Sequence, residues 1–132
     1  MDPLYQENIL DHYRNPRNGK PIANYQVKQL GSNPSCGDEL SLYLAHDDAG
    51  AITDVGYDAA GCAISTAGIS ILSERLRGMT PEDVAKIADA DVFGMLGVPI
   101  GPEREKCALL GIRTLREALA KDTVDRSWQN FD

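Results

Sequence analysis

Three cysteines and one aspartate are the residues of this sequence best suited to chemistry: Cys36, Asp38, Cys62 and Cys107. Each stands beside a break in the local pattern. Cys36 and Asp38 lie in Asn33-Pro34-Ser35-Cys36-Gly37-Asp38, a loop by composition. Cys62 lies where a strand pattern hands over to a helical one. Cys107 lies in the first turn of the last long helical stretch, after a loop rich in Gly and Pro. Loops gathered at one end of a scaffold are where sites are usually built. Three thiolates and one carboxylate make four ligands, a number that suits tetrahedral Zn²⁺. Thiolates with an oxygen can equally hold iron in a cluster. A helix N-terminus favours negative charge, so Cys62 and Cys107 are both placed to act as thiolates, the form that binds metal and attacks sulfur. Arg104 and Lys106 push Cys107 the same way, and Glu103 and Glu105 oppose them. Gly37, between Cys36 and Asp38, permits a tight turn that aims both side chains at one point.

Taken singly, these residues would not establish a site. Free cysteine is commonly an inert core residue, and an aspartate in such a loop more often belongs to a turn. His12 and His46 are not paired at ligand spacing and read as a helix-face residue and a turn residue.

The elements that must position these groups follow from periodicity. Asp2 and Pro3 suit the start of a first helix, with Leu4, Tyr5, Ile9, Leu10 and Tyr13 as its apolar face and Asn15-Pro16 as its stop. Tyr25 to Leu30 reads as a short strand. Leu40, Leu42 and Leu44 alternate with smaller or polar residues as a second, and Ile52, Val55 and Tyr57 mark a third. The turn at residues 46–50 makes the last two antiparallel. Helices are expected over residues 63–77, closed by Gly78, from Thr80-Pro81, over residues 89–96, and over residues 103–121. A tail over residues 122–132 is expected to be peripheral. Strands first and helices afterwards argue for an α+β fold, a small antiparallel sheet with helices packed on one face.

The 132 residues suit one domain, 1–132, with a modest core. A net charge of -7 argues against nucleic acid, which selects clustered Lys and Arg, and fits docking on basic patches of partner proteins. No apolar run approaches the roughly 20 residues that span a bilayer. The N-terminus has no basic start followed by an apolar stretch, so the expected address is cytoplasmic. An odd cysteine count with no Cys-x-x-Cys pair points away from disulfides and dithiol redox chemistry and toward metal or sulfur.

Together these residues resemble one family. Residues Leu10-Asp11-His12-Tyr13-Arg14-Asn15-Pro16-Arg17-Asn18 look like the N-terminal signature of the IscU/SufU/NifU N-terminal family. Asn33 to Asp38, Gly61-Cys62-Ala63-Ile64-Ser65 and Lys106-Cys107-Ala108-Leu109-Leu110 look like its three ligand segments, in the right order. The resemblance implies a three-stranded antiparallel sheet with packed helices, and convergence of Cys36, Asp38, Cys62 and Cys107. It further implies a cysteine desulfurase of the SufS/IscS/NifS kind as sulfur donor, with iron–sulfur acceptor or carrier proteins downstream. Cys36 and Cys107 are the candidates to carry the persulfide, supported by Arg104 and Lys106.

Two behaviours are known in the family, and this chain has features of both. Scaffolds of the IscU type build a [2Fe–2S] cluster and usually carry His before the third cysteine, where this chain has Lys106. Members of the SufU type hold zinc and relay sulfur, but usually carry an insertion between the second and third cysteines; here only 45 positions separate Cys62 from Cys107. The stretch read by a dedicated Hsp70-type chaperone in scaffolds is replaced by Val98-Pro99-Ile100-Gly101-Pro102-Glu103, which speaks against that partner. A scaffold at a Cys3Asp site is therefore the first expectation, a zinc-dependent sulfurtransferase the second, and a purely structural zinc module the third.

Overall fold

The computed structural model describes residues 7–34, 37–97 and 99–129, with side chains described as far as residue 120. Its centre is a sheet of three antiparallel strands in sequence order, β1 (Val27–Asn33), β2 (Asp38–His46) and β3 (Ile52–Ala60). Alternation along β2 buries Asp38, Leu40, Leu42 and Leu44 on one face. The register places them against Val27, Gln29, Gly31 and Asn33 of β1. On the other side Leu40, Leu42 and Leu44 face Ala59, Tyr57 and Val55 of β3. Among the described residues the helices pack on this face: α1 (Glu7–Arg14), α2 (Ala63–Ser73), α3 (Pro81–Ala85), α4 (Asp89–Leu96) and α5 (Glu105–Gln129). The expected α+β architecture is the one observed.

Helix α2, Ala-Ile-Ser-Thr-Ala-Gly-Ile-Ser-Ile-Leu-Ser, has no charged residue, and every position from Ile64 to Ser73 is buried. A helix without a polar face has to lie inside a core, and α2 packs against α1, α4, α5 and β3. It divides two apolar clusters. The larger joins the inner face of the sheet to α5 through Leu42, Leu44, Tyr57, Ile112 and Leu115. The smaller joins Ile9, Ile64, Ala67, Leu96 and Cys107 at the ends of four helices. Leu42 is fully buried, so Leu42→Ala would cost about 2–5 kcal/mol.

Several boundaries differ from expectation. Strand β1 begins at Val27, not Tyr25, and runs through Gly31 and Ser32 to Asn33, because pairing with β2 outweighs their weak strand preference. Asn33 and Asp38, expected in the loop before β2, are instead a cross-strand pair. Helix α2 stops at Ser73, and Gly78 instead serves a turn whose N–H donates to Ile52 O at 2.7 Å. The cap at Thr80 is present, with Asp83 completing a capping box. A short 3-10 turn, Pro102–Arg104, precedes α5, which continues as backbone helix to Gln129 through most of the expected tail. The expected start of α1, with Asp2, Pro3, Leu4 and Tyr5, lies outside the described residues. Its buried face is Ile9 with His12, while Tyr13 is 45% exposed.

Candidate metal and sulfur site

Asp38, Cys62 and Cys107 come from three elements and meet at one end of the molecule. Each offers a ligand atom within 4.8 Å of the others. Asp38 opens β2 on its inner face and is 1% exposed. Cys62 caps the N-terminus of α2, its sulfur accepting the Ser65 N–H at 3.5 Å, the place where Ser or Asp usually stands. Cys107 is the third residue of α5, 2% exposed, after the 3-10 turn that Pro102 begins. The fourth expected residue, Cys36, lies outside the described residues.

The contacts among them are specific. Asp38 Oδ1 accepts the backbone N–H of Cys62 at 2.9 Å, which ties the start of β2 to the start of α2. Its second oxygen, Oδ2, lies 3.9 Å from Cys62 Sγ. This approach requires Gly61: a Cβ there would sit 2.9 Å from Asp38 Cγ and 3.0 Å from its Cβ. Asn33 Nδ2 donates to Cys107 Sγ at 3.7 Å across 74 residues of sequence. Arg104 is half-buried and Lys106 exposed, and neither reaches Asp38 or Cys62 by a hydrogen bond or ion pair. Among the described residues no Lys or Arg pairs with the Asp38 carboxylate.

A buried carboxylate beside two sulfurs, without a cationic side chain, is costly unless a positive charge is supplied. Soft sulfur with one hard oxygen is a donor set that suits zinc or iron. These residues therefore fit a metal ion.

The N-terminal signature turns out to be a different construction. His12, expected on a helix face, is on the buried one, with Nδ1 2.7 Å from Ser70 Oγ. Ser70 Oγ also accepts the Arg17 N–H at 2.9 Å. Tyr57 turns its hydroxyl toward the same serine without completing a well-formed hydrogen bond. Asn18 Nδ2 donates to Ser73 Oγ at 3.0 Å, and Arg77 bridges Asn18 and Asp54. Burial, and then Arg17, hold the His12 pKa below the usual imidazole value against the pull of Glu74 and Asp11. His46 keeps to its turn, Nδ1 beside Asp47 O at 2.9 Å. Sequence reading missed Asn33, Gly61 and Ser70 as working residues. Only Gly61, adjoining a cysteine at a strand end, carried a local signal.

Comparison with known proteins agrees with this geometry. The family model described as the NifU-like N terminal domain matches residues 4–126. The zinc-dependent sulfurtransferase SufU of Bacillus subtilis is 30% identical over 92% of this chain and 93% of its own. The iron–sulfur cluster assembly scaffold protein IscU of Haemophilus influenzae is 31% identical over 88% of this chain and 93% of its own. Among solved structures, a candidate SUF-system scaffold from Fervidobacterium islandicum is 31% identical with a TM-score of 0.77, covering 88% of this chain and 96% of its own. A NifU-like protein from Brucella abortus shares the fold at 20% identity and a TM-score of 0.76, covering 92% of this chain and 96% of that one. The chain belongs to the NifU-like N-terminal domain family.

Proposed function

We propose that this protein accepts sulfur from a cysteine desulfurase and assembles an iron–sulfur cluster, with iron and sulfide as cargo, at a site formed by Cys36, Asp38, Cys62 and Cys107. The observation that carries the reading is the meeting of Asp38, Cys62 and Cys107 within 4.8 Å from three separate elements. Cys36 joins them by its place two positions before Asp38. A bound metal would supply the positive charge that holds the sulfurs as thiolates and offsets the buried carboxylate.

Sulfur transfer needs a thiolate that a partner can touch. In that step the thiolate attacks the outer sulfur of the donor persulfide. One S–S bond forms, the donor's S–S bond breaks, and the donor cysteine leaves as a thiolate, with no net oxidation. Cys107 is 2% exposed and already hydrogen-bonded, so we assign the attack to Cys36 and an anchoring role to Cys107. Arg104 and Lys106, at the edge of the site in sequence, then serve the docking partner. Delivery to downstream acceptor proteins and a cytoplasmic address go with this reading. Among the described residues, no helix is long and apolar enough to cross a membrane.

A zinc-dependent relay that never builds a cluster is the second reading, favoured by Lys106 standing where scaffolds usually place a histidine. The deciding experiment is anaerobic incubation with ferrous iron, cysteine and a desulfurase, followed by re-isolation and assay of iron, zinc and acid-labile sulfide. Iron and sulfide in similar amounts, lost in Cys→Ser variants of the three cysteines, establish the scaffold. Retained zinc without labile sulfide, together with faster desulfurase turnover, establishes the relay instead.

A further inference from the structure

Asn33 is 4% exposed and occupies the last position of β1, on the face turned toward the helices. The register that points Asp38 inward points Asn33 inward beside it, because the two are cross-strand partners. An inward position at a strand end is ordinarily apolar. A buried amide is costly if its donor is left unmet. Here its Nδ2 lies 3.7 Å from Cys107 Sγ. A thiolate or metal-bound sulfur carries no proton and can only accept, so the amide N–H is its complement. A thiol that merely filled the core would be served equally well by Leu at position 33.

We infer that Asn33 is a positioning residue: its side-chain amide donates an N–H···S hydrogen bond that fixes the direction of the Cys107 sulfur and draws charge from it when it holds metal. Groups that hydrogen-bond to metal ligands set ligand orientation and metal affinity. Hydrogen bonds to sulfur also tune clusters. The two described sulfurs are thereby held differently. Cys62 receives a backbone N–H from the start of its own helix, whereas Cys107 receives one from a side chain on another element, 74 residues away in the sequence.

This inference rests on the metal-site reading. Its test uses the whole chain and Co²⁺ alone, under anaerobic conditions, comparing native protein with Asn33→Leu, Asn33→Ala and the control Gln29→Leu. Gln29 lies on the same face of β1, four positions before Asn33, and its side chain donates to Leu30 O. Thermal unfolding and circular dichroism check the fold of each. Both Asn33 variants are expected to keep cobalt's visible absorption, move the sulfur-to-cobalt charge-transfer band to longer wavelength, and weaken Co²⁺ binding about tenfold. Gln29→Leu should change neither. Band position and affinity that match native in whichever Asn33 variant folds, or an equal change in Gln29→Leu, would overturn the inference while leaving the metal site standing. Failure of the native protein to show any sulfur-to-cobalt band would overturn both.

Discussion

Helix α2 carries two buried polar clusters that differ in one respect. Around Ser70 the groups, the Tyr57 hydroxyl excepted, answer one another: His12 Nδ1 and the Arg17 N–H both find its hydroxyl, and Asn18 finds Ser73 one turn on. At the N-terminus of α2 the groups converge without cancelling. Asp38, Cys62 and Cys107 share one small space, and the carboxylate has no cationic side chain among the described residues. A closed network stabilises a fold, whereas an open one waits for something from outside. The contrast separates the signature that holds α1 in place from the residues that could hold a metal ion. Both look equally polar and equally motif-like in the sequence.

Breaking the closed network should cost stability and leave metal binding alone. Ser70→Ala removes only the hydroxyl and strands His12 Nδ1 and the Arg17 N–H, so unfolding in urea should show a loss of about 2–4 kcal/mol. Its Zn²⁺ affinity, measured on the folded protein, should stay within about twofold, since no ligand moves. A tenfold loss of affinity would mean the two clusters are one.

The open cluster should behave in reverse. Gly61→Ala sets a methyl group against the Asp38 carboxylate on a position that is itself exposed. Zn²⁺ titration should show at least a tenfold weaker site. The unfolding midpoint of the metal-free protein should fall only slightly.

Acid sharpens the comparison further. Burial lowers the His12 pKa from its ordinary 6.5, so the folded protein holds this ring neutral while the unfolded chain protonates it. The stability it contributes is complete above pH 6.5 and is lost as pH falls from there through the lowered folded value. Urea midpoints between pH 7.5 and 5 should decline in the native protein, and His12→Gln should flatten that decline. An equally steep slope in the variant would place the acid sensitivity elsewhere.

The smallest effect belongs to the rim of the closed network. Arg77 joins Asn18 and Asp54, with both charged side chains about half exposed, so Arg77→Ala should cost about 0.5 kcal/mol and less at high salt. A loss as large as that of Ser70→Ala would show that the network extends to the surface.

The sequence was legible where the information is local. The Leu40-Leu42-Leu44 alternation, the Thr80 cap and the Cys62 and Cys107 positions at helix starts follow from neighbours within one or two turns, and the structure has them. The helix after Cys62 was legible too, but its end at Ser73 and its enclosure on all sides came from the structure. Tertiary structure alone decided the rest. Asn33 read as a loop residue until pairing with Asp38 drew it into β1 and set its amide against a sulfur 74 residues away. His12 and Ser70 are 58 residues apart, and nothing near either forecasts the other. Periodicity reports which face of an element is buried. Which partner that face meets depends on packing among elements distant in the chain, and hydrogen bonds with ranges near 3 Å form only after that packing is complete.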